Sequence, residues 1–369
     1  MRKYFGTDGI RRIANTELTP ELVYKVAKAG AYVLSKHTDH APTIFIGRDT
    51  RISGTLIESA MTAGFLSYGA NVKMLGVMPT PAVAYLTKKF KADASVVISA
   101  SHNTFEFNGV KYFSNKGMKI PDELEEEIEE VMDSGKINEL TAVNDKIGTS
   151  EIATELLDEY VYFFRKNFEE DLERLNRDDF VVAVDTANGA TSVVADKVFT
   201  VLGIKHHILN DSPNGININD GCGSTHLEML KQYVIDKKCS LGIAYDGDGD
   251  RCLAVDENGN EIDGDKIIAI ISQYLKSKGK LNKDTIVATV MSNLGLNKYA
   301  KQNELNFVQT KVGDRYVLEE MLKNGYNLGG EQSGHVICLD YNPTGDGIST
   351  SLMIITAILE QGKKASEVA

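Results

Sequence analysis

The sequence predicts an α/β protein made of three consecutive domains of similar plan. The first observation behind this class is the length of 369 residues, which exceeds the usual size of one domain, about 100–200 residues. The second is a recurring order of apolar strand, polar loop and helix, which is the unit of α/β folds. The third is that the polar residues suited to chemistry follow strands, where open α/β sheets place their sites.

The first domain is expected over residues 1–148. Its first helix is marked by Thr19-Pro20-Glu21, because proline is favoured in a first turn, and apolar side chains then recur at helical spacing. The acidic segment 123–132 is expected to be a helix with a solvated face. The other expected elements are strands over 43–47, 71–76 and 94–98, a helix over 56–68, a helix opening near Pro81 and a strand after the turn at 108–111.

Residues 136–150 are polar and poor in apolar side chains, which makes them the best position for a first domain boundary. The second domain is therefore expected over 149–250 and the third over 251–369. The expected elements are a helix over 151–168, strands over 180–185, 204–209 and 240–245, then the segment 251–256 and a turn at 258–260, a helix over 265–276 and a strand over 285–290.

Charge and cysteine content exclude several classes of protein. The formal net charge is -12, so no basic surface for nucleic acid or anionic lipid is indicated, and neither partner is expected. The four cysteines are scattered without a C-x-x-C pair, which predicts reduced thiols. The N-terminus lacks the apolar core of a signal peptide, and the longest apolar run, 352–359, is too short to span a membrane. We therefore expect a cytoplasmic protein.

A serine beside a histidine marks the first candidate site. Ser101 and His102 directly follow the apolar run 94–98, at the end of a predicted strand. An ordinary polar loop is the open alternative. The site gains weight from a second segment of the chain that could bring a metal ion to the serine.

That second segment is an alternation of aspartate and glycine after the predicted strand 240–245. Glycine lets the backbone curl, so that Asp246, Asp248 and Asp250 can direct their carboxylates at one centre. An all-oxygen set of ligands selects a hard cation, Mg²⁺ above all. A calcium loop of the EF-hand kind is the main rival, but it requires glycine at the position of Arg251 and a helix instead of the strand. An acidic turn and a haloacid-dehalogenase nucleophile also stay open.

A glycine-bounded loop at 329–335 carries groups suited to a sugar. Glu331 can accept hydrogen bonds from sugar hydroxyls, Ser333 can donate or accept, and His335 adds an imidazole. We therefore predict that these three side chains bind the substrate. A turn with a buried, hydrogen-bonded histidine is the alternative.

Two further segments could meet a phosphate. Lys311 and Arg315 supply two cations and are candidate substrate-binding residues, although ordinary surface charge explains them as well. The segment 51–55, at a predicted helix start, could hold an anion on its free backbone amides, with a simple helix cap as the alternative.

Taken together and in this order, these motifs resemble the α-D-phosphohexomutase superfamily, and within it the bacterial phosphoglucosamine mutases. The resemblance covers essentially the whole chain. Gln332 and the segment 222–226 favour the glucosamine branch over the phosphomannomutase/phosphoglucomutase branch. The resemblance rests on the segments FGTDGIR at 5–11, ASHN at 100–103, DGDGDR at 246–251 and GEQSGH at 330–335.

The resemblance implies mixed sheets flanked by helices, an active-site cleft between the domains, and a role for each candidate residue. Ser101 would be the phosphoserine, and one of its phosphoryl oxygens would join the three aspartates in binding one Mg²⁺. The phosphoserine loop would belong to the first domain, the metal loop to the end of the second and the sugar loop to the third. The other implied residues are Arg11, His102, Lys111 and Arg251 around the phosphoryl group, and Glu331 and Ser333 at the sugar.

The implied reaction interconverts glucosamine 6-phosphate and glucosamine 1-phosphate. It uses glucosamine 1,6-bisphosphate as intermediate and activator, on the way to UDP-N-acetylglucosamine and the cell wall. A phosphomannomutase or phosphoglucomutase, a phosphatase or kinase acting through Asp246, and a non-catalytic sugar-phosphate sensor remain alternatives. A homodimer is compatible with the resemblance.

Three departures from the family pattern carry expectations of their own. Thr104 stands where the family usually has proline, so a less rigid serine loop is expected, and Arg12 replaces a common glycine. The family's fourth domain, with its phosphate-binding loop, would follow Ala369. We therefore expect these 369 residues to fold and to keep the serine and metal sites, but to be weakly active.

Overall fold

The computed structural model describes residues 3–6, 8–36 and 38–369. The chain divides into two compact units, one of residues 1–160 and 213–218, the other of residues 161–212 and 219–369. Among the helices of the described ranges, none combines the length and the apolar character that a membrane span requires.

The first unit is built on a six-stranded mixed sheet with the strand order β1-β5-β4-β2-β3-β6. The strands β2, β3, β4 and β6 run parallel, while β5 is antiparallel to both β1 and β4. The strands are β1 (Ile10–Ile13), β2 (Thr43–Arg48), β3 (Asn71–Val77), β4 (Ala94–Ile98), β5 (Phe107–Ser114) and β6 (Ser150–Ile152).

Four helices flank this sheet and bury their apolar faces against it. The helix α1 begins where the sequence predicts, because Pro20 occupies its first turn and the Thr19 hydroxyl accepts a hydrogen bond from the backbone N–H of Leu22. Buried side chains of α1 and α2 pack with those of β2 and β4 in one core. The helices are α1 (Pro20–Leu34), α2 (Gly54–Tyr68), α3 (Thr80–Phe90) and α4 (Asp122–Asp133).

The second unit contains two further mixed sheets, with the strand orders β11-β10-β9-β7-β8 and β13-β12-β14-β15. The prediction of three α/β sheets in series is therefore confirmed. The strands of the five-stranded sheet are β7 (Val181–Asp185), β8 (Lys205–Leu209), β9 (Leu241–Tyr245), β10 (Cys252–Asp256) and β11 (Glu261–Ile262). Those of the four-stranded sheet are β12 (Thr285–Thr289), β13 (Asn306–Thr310), β14 (Leu328–Gly330) and β15 (Val336–Cys338).

Helices cover the sheets of the second unit as well. The most deeply buried of them is α11, whose residues from Gly347 to Ile358 are all buried. The helices after α4 are α5 (Leu157–Glu173), α6 (Ala195–Val201), α7 (Glu228–Lys237), α8 (Gly264–Ser277), α9 (Leu294–Gln302), α10 (Asp314–Asn324), α11 (Gly347–Gln361) and α12 (Ala365–Val368).

The structure corrects the predicted start of the helix over 151–168. Two strand pairings also bear on the predicted domain divisions, which stay predictions. Residues 150–152 form β6, which pairs with β3, so a division at 148/149 would remove an edge strand from its sheet. The helix α5 begins only at Leu157. A division at 250/251 would separate β10 from β9, although the two are antiparallel neighbours joined by a short loop. The physical reason is hydrogen bonding to an open strand edge, which composition does not reveal.

Loops that follow parallel strands meet at one edge of each sheet. In the first unit, residues 49–53 follow β2 and residues 99–106 follow the neighbouring β4. In the second unit, residues 186–189 follow β7 and residues 246–251 follow the neighbouring β9. These edges carry most of the predicted site residues.

Candidate active site

Ser101 has an unusual backbone conformation at the carboxyl end of β4. Its φ of 52° is in the left-handed region, which costs a non-glycine residue roughly 1–3 kcal/mol. The residue is 1% exposed, and its hydroxyl Oγ lies 3.3 Å from Nδ1 of the neighbouring His102. Backbone strain of this kind persists only where the surroundings impose it, and it concentrates at functional sites.

Arg51 imposes that conformation from the neighbouring loop. Its guanidinium is fully buried and donates hydrogen bonds to the carbonyl oxygens of Ser101 (2.9 Å), Asn103 (2.8 Å) and Thr104. Sequence analysis left the 51–55 segment as an anion site or a helix cap. The structure instead directs the Arg51 side chain into the serine loop, and Thr104, which replaces the usual proline, is one of the residues it holds.

Three cations surround one carboxylate beside the serine loop. Asp8 lies 2.8 Å from Nη2 of Arg11 and 3.1 Å from Nζ of Lys111, and it also pairs with Lys119. Burial by itself raises the pKa of the Asp8 carboxyl, but the charges of Lys111 and Lys119 hold that pKa well below its usual range. Three cations and one carboxylate leave a net charge of +2 on these four side chains.

This positive cluster is connected to the serine loop. Nη1 of Arg11 donates a 3.1 Å hydrogen bond to Oδ1 of Asn103, two residues after Ser101. An excess of positive charge at this place suits a phosphate dianion. Thr7, within the 5–11 segment on which the resemblance partly rests, lies outside the described residues.

Three buried aspartates converge in the loop between β9 and β10. Asp246, Asp248 and Asp250 each offer a carboxylate oxygen, and these oxygens all lie within 4.8 Å of one another. The turn depends on Gly249, whose φ of 71° is left-handed. A strand on each side of the loop is incompatible with an EF-hand, which has helices there.

This donor set fits a divalent hard cation. Three carboxylates brought together in a buried place repel one another unless a cation neutralises them. All three supply oxygen, the ligand that Mg²⁺ prefers. Arg251 adds a further positive group, with Nε 3.9 Å from Oδ1 of Asp250.

Asp185 supports the metal loop from the end of β7. Its buried carboxylate accepts hydrogen bonds from the backbone N–H groups of Ala187 (2.9 Å) and Gly223 (2.8 Å). Burial raises the pKa of the Asp185 carboxyl, and the hydrogen bonds from the two N–H groups oppose that rise. The loop so held contacts the metal loop, because the N–H of Ala190 donates to the carbonyl oxygen of Gly247. Sequence analysis assigned Asp185 no role beyond ending a strand.

The loop at 331–335 connects β14 to β15 as a tight turn. Glu331 is partly exposed and Ser333 is exposed, so both can reach a ligand. Oε1 of Glu331 accepts a 3.1 Å hydrogen bond from the N–H of Gly313. The exposed Gln332 lies next to them, with its side-chain amide 3.4 Å from Asp263.

His335 occupies a different environment from Glu331 and Ser333. Its imidazole is buried, with Nε2 accepting a 3.1 Å hydrogen bond from the N–H of Gly345 and Nδ1 lying 3.6 Å from Oδ2 of Asp250. Nε2 also lies 3.5 Å from Oδ2 of Asp314, so the imidazole sits between the metal loop and the start of α10. This environment matches the buried, hydrogen-bonded histidine weighed as the alternative, and a substrate contact of His335 stays a prediction.

Lys311 and Arg315 flank Gly313, whose N–H binds Glu331, but their side chains contact residues of their own segment. Nε of Arg315 pairs with Glu319 at 2.8 Å, and Nζ of Lys311 lies 5.8 Å from the centre of the Tyr316 ring. Both remain predictions as phosphate contacts.

Sequence reasoning missed four supporting residues: Asp8, Asp49, Arg51 and Asp185. Two of them share a signal in the sequence. Asp49 directly follows the parallel strand β2, Asp185 is the last residue of the parallel strand β7, and a threonine comes after each. The carboxylate of each accepts a hydrogen bond from the backbone N–H two residues further on. A carboxylate at the end of a parallel strand therefore organises the loop after it in both units.

Comparison with known proteins gives the class of the molecule. Three family models match in order: phosphoglucomutase/phosphomannomutase alpha/beta/alpha domain I over residues 2–139, domain II over 158–259 and domain III over 263–369. The chain therefore belongs to the phosphoglucomutase/phosphomannomutase family.

Its relatives narrow the class further. A phosphoglucosamine mutase of Acetivibrio thermocellus is 52% identical over 369 residues, which are 100% of this chain and 81% of the relative. A phosphoglucosamine mutase of Clostridium acetobutylicum has the same identity and coverage. The chain is thus an isomerase of the phosphohexomutase superfamily, in its phosphoglucosamine mutase group, and the recognition made from the sequence is confirmed.

Solved structures share the fold. A phosphoglucomutase/phosphomannomutase family protein from Burkholderia thailandensis matches with a TM-score of 0.86 at 21% identity, over 100% of this chain and 80% of that one. An N-acetylphosphoglucosamine mutase from Aspergillus fumigatus, solved with GlcNAc-6P and magnesium, matches with a TM-score of 0.63 at 16% identity, over 100% of this chain and 79% of that one.

Proposed function

We propose that this protein interconverts glucosamine 6-phosphate and glucosamine 1-phosphate, with Ser101 as the carrier of the phosphoryl group. The observation that carries the proposal is the place of Ser101, in a strained conformation beside side chains with a net charge of +2. The relatives that are 52% identical support the choice of sugar. Exposed Gln332 beside Glu331 and Ser333 supports it as well.

In the proposed reaction O1 of glucosamine 6-phosphate attacks the phosphorus of phospho-Ser101. The bond from phosphorus to Oγ breaks as the bond to O1 forms, and the O1 proton passes to Oγ, beside which His102 is placed to handle it. The glucosamine 1,6-bisphosphate then reorients. Ser101 takes the phosphoryl group from O6, which regenerates phosphoserine and releases glucosamine 1-phosphate, so nothing is consumed.

We further propose that Asp246, Asp248 and Asp250 hold one Mg²⁺, with a phosphoserine oxygen as an additional ligand. The ion would neutralise charge on the phosphoryl oxygens during transfer. Arg11, Lys111 and Arg251 would neutralise the remaining charge, and Glu331 and Ser333 would accept and donate hydrogen bonds to the sugar hydroxyls. Lys311 and Arg315 are proposed to meet the second phosphate.

Compartment and assembly are proposed on separate grounds. All four cysteines are buried thiols, and burial raises the pKa of Cys222 to about 12, which keeps that thiol unreactive. Reduced thiols support a cytoplasmic protein. A homodimer stays a proposal, which light scattering on the purified protein tests directly.

Phosphorus NMR of glucosamine 6-phosphate mixed with the protein, Mg²⁺ and a small amount of glucose 1,6-bisphosphate, which phosphorylates the serine, tests the function. We expect a glucosamine 1-phosphate resonance to grow until equilibrium, and no such signal with Ser101→Ala. Growth of inorganic phosphate alone would identify a phosphatase. Binding of the sugar phosphate without turnover would identify a sensor, and faster turnover of mannose 6-phosphate or glucose 6-phosphate would identify the other branch of the family.

A further inference from the structure

Asp49, Arg51 and Ser99 form a continuous hydrogen-bonded network around the backbone of Ser101. Oδ2 of Asp49 accepts a hydrogen bond from the Ser99 hydroxyl (2.6 Å) and one from Nε of Arg51 (2.9 Å). The Ser99 hydroxyl oxygen in turn accepts a 2.9 Å hydrogen bond from the N–H of Ser101. Arg51 closes the network through the Ser101 carbonyl oxygen. We call these three side chains the serine clamp.

The clamp holds both sides of the Ser101 residue. Its N–H is bound through Ser99 and its carbonyl through Arg51, so both neighbouring peptide groups are held in place. These are the two peptide groups whose orientations define φ and ψ at Ser101. The left-handed conformation of the residue therefore follows from these bonds.

The burial and the contacts of Arg51 suit it to holding the serine loop. The side chain is fully buried, so it cannot reach a bound anion from solvent. Of its five N–H donors, one binds Asp49 and three bind carbonyl oxygens of residues 101, 103 and 104. The planar guanidinium presents its N–H donors in a fixed fork that binds several acceptors at once, and a lysine ammonium cannot reproduce this arrangement. Asp49 balances the buried charge.

We propose that the serine clamp is a positioning device for phosphoryl transfer, and that Arg51 is its central residue. The inference rests on the proposed role of Ser101 as phosphoryl carrier. The serine must present Oγ at the same place when it donates the phosphoryl group and when it recovers it. Positioning of reacting atoms is worth orders of magnitude in rate, and an error of about 1 Å can cost about 10²-fold.

The test uses Arg51→Lys, with Arg48→Lys as the matched control. Arg48 is the last residue of β2, and its guanidinium pairs with Glu58 at 3.2 Å and lies 3.4 Å from the carbonyl oxygen of Asp49, outside the side-chain network of the clamp. Three sets of measurements are made on each purified, folded protein. They are kcat and KM for glucosamine 6-phosphate, the rate at which glucose 1,6-bisphosphate phosphorylates Ser101 by mass spectrometry, and Mg²⁺ affinity by calorimetry.

We expect Arg51→Lys to lower kcat and the phosphorylation rate about 10²-fold, with KM and Mg²⁺ affinity unchanged. Arg48→Lys should match the wild type in all three. Wild-type kcat and phosphorylation rate in Arg51→Lys would overturn the inference while leaving the proposed function intact. A wild-type protein that neither turns over sugar phosphate nor carries phosphate on Ser101 would instead overturn the proposed function.

A second variant decides the matter if Arg51→Lys does not fold. Ser99→Ala removes only the hydroxyl that links Asp49 to the N–H of Ser101. A lower kcat with unchanged KM and melting temperature supports the clamp. Unchanged kcat in Ser99→Ala overturns it.

Discussion

The backbone N–H of Cys252 donates a 3.0 Å hydrogen bond to the carbonyl oxygen of Gly334. This bond ties the chain just after the metal loop to the loop that carries Glu331 and Ser333. Asp250 and His335, two residues before Cys252 and one after Gly334, lie 3.6 Å apart at their nearest side-chain atoms. The loop of the proposed metal ligands and the loop of the proposed sugar contacts are therefore direct neighbours in the second unit.

The metal site gives the first prediction. Asp248→Asn replaces one of three converging carboxylates, so Mg²⁺ affinity should fall at least about 10–100-fold, the loss that even outer-shell changes cause. Calorimetry on the purified protein measures it. Asp236→Asn, at an exposed position on α7, is the control and should bind as the wild type does. If Asp248→Asn bound Mg²⁺ as tightly as the wild type does, the proposed metal site would be wrong.

Asp185 gives a second prediction, for a residue that is no metal ligand. The N–H groups of Ala187 and Gly223 end on different oxygens of Asp185, so in Asp185→Asn, where one oxygen becomes an amide donor, one of these two hydrogen bonds is lost. The support under the metal loop should loosen, and Mg²⁺ affinity should fall about 10-fold. Calorimetry of Asp185→Asn and of the control Asp236→Asn measures the fall in Mg²⁺ affinity. Circular dichroism confirms that Asp185→Asn is folded. An affinity like that of the wild type would show that the loop holds its shape unaided.

Much of the fold was predictable because its signals are local. The buried strand β4 is a run of apolar residues, and Thr19 with Pro20 marks the start of α1. Ser101 and the three aspartates could be located because chemistry collects where parallel strands end. The alternation of aspartate with glycine pointed to a cation before any geometry was known.

The rest depended on partners distant in sequence. The short strand β6 exists because β3 offers an open edge, and β10 stays with β9 because the two pair as neighbours. The segment 51–55 was expected to hold an anion on its backbone amides or to cap a helix, and the sequence did not show that the Arg51 side chain binds carbonyl oxygens about 50 residues further along the chain. His335 was expected at the substrate, and only the fold shows it buried against Asp250.

The lowered pKa of Asp8 gives a prediction of how the free energy of unfolding depends on pH. Its pKa is depressed in the folded protein, so the carboxylate stabilises the fold fully above the usual aspartate pKa, about 3.9. That contribution is lost as the pH falls through the lower, folded pKa. Asp8→Asn should therefore reduce the free energy of unfolding at pH 7 by about 1–3 kcal/mol, with the difference vanishing in stronger acid. Urea unfolding of both proteins across this range measures it. A difference independent of pH would contradict the assignment.

The sugar loop gives a prediction about kcat/KM. Glu331→Gln removes a charged acceptor from a partly exposed position, so kcat/KM for glucosamine 6-phosphate should fall about 10-fold or more. Mg²⁺ affinity should change far less, since Glu331 is not among the converging carboxylates. Glu126→Gln, at an exposed position on α4, is the control for steady-state kinetics. Undiminished kcat/KM in Glu331→Gln would place the sugar elsewhere.

The most direct test is to find the phosphate. The protein is incubated with glucose 1,6-bisphosphate and Mg²⁺, digested, and its peptides are mapped by mass spectrometry, with Ser101→Ala treated in the same way. We expect one phosphorylated residue, Ser101. When glucosamine 6-phosphate is then added without bisphosphate, this phosphate should leave the serine and be found on the sugar. Phosphate on another residue, or full mutase activity in Ser101→Ala, would contradict the role of Ser101 as the phosphoryl carrier.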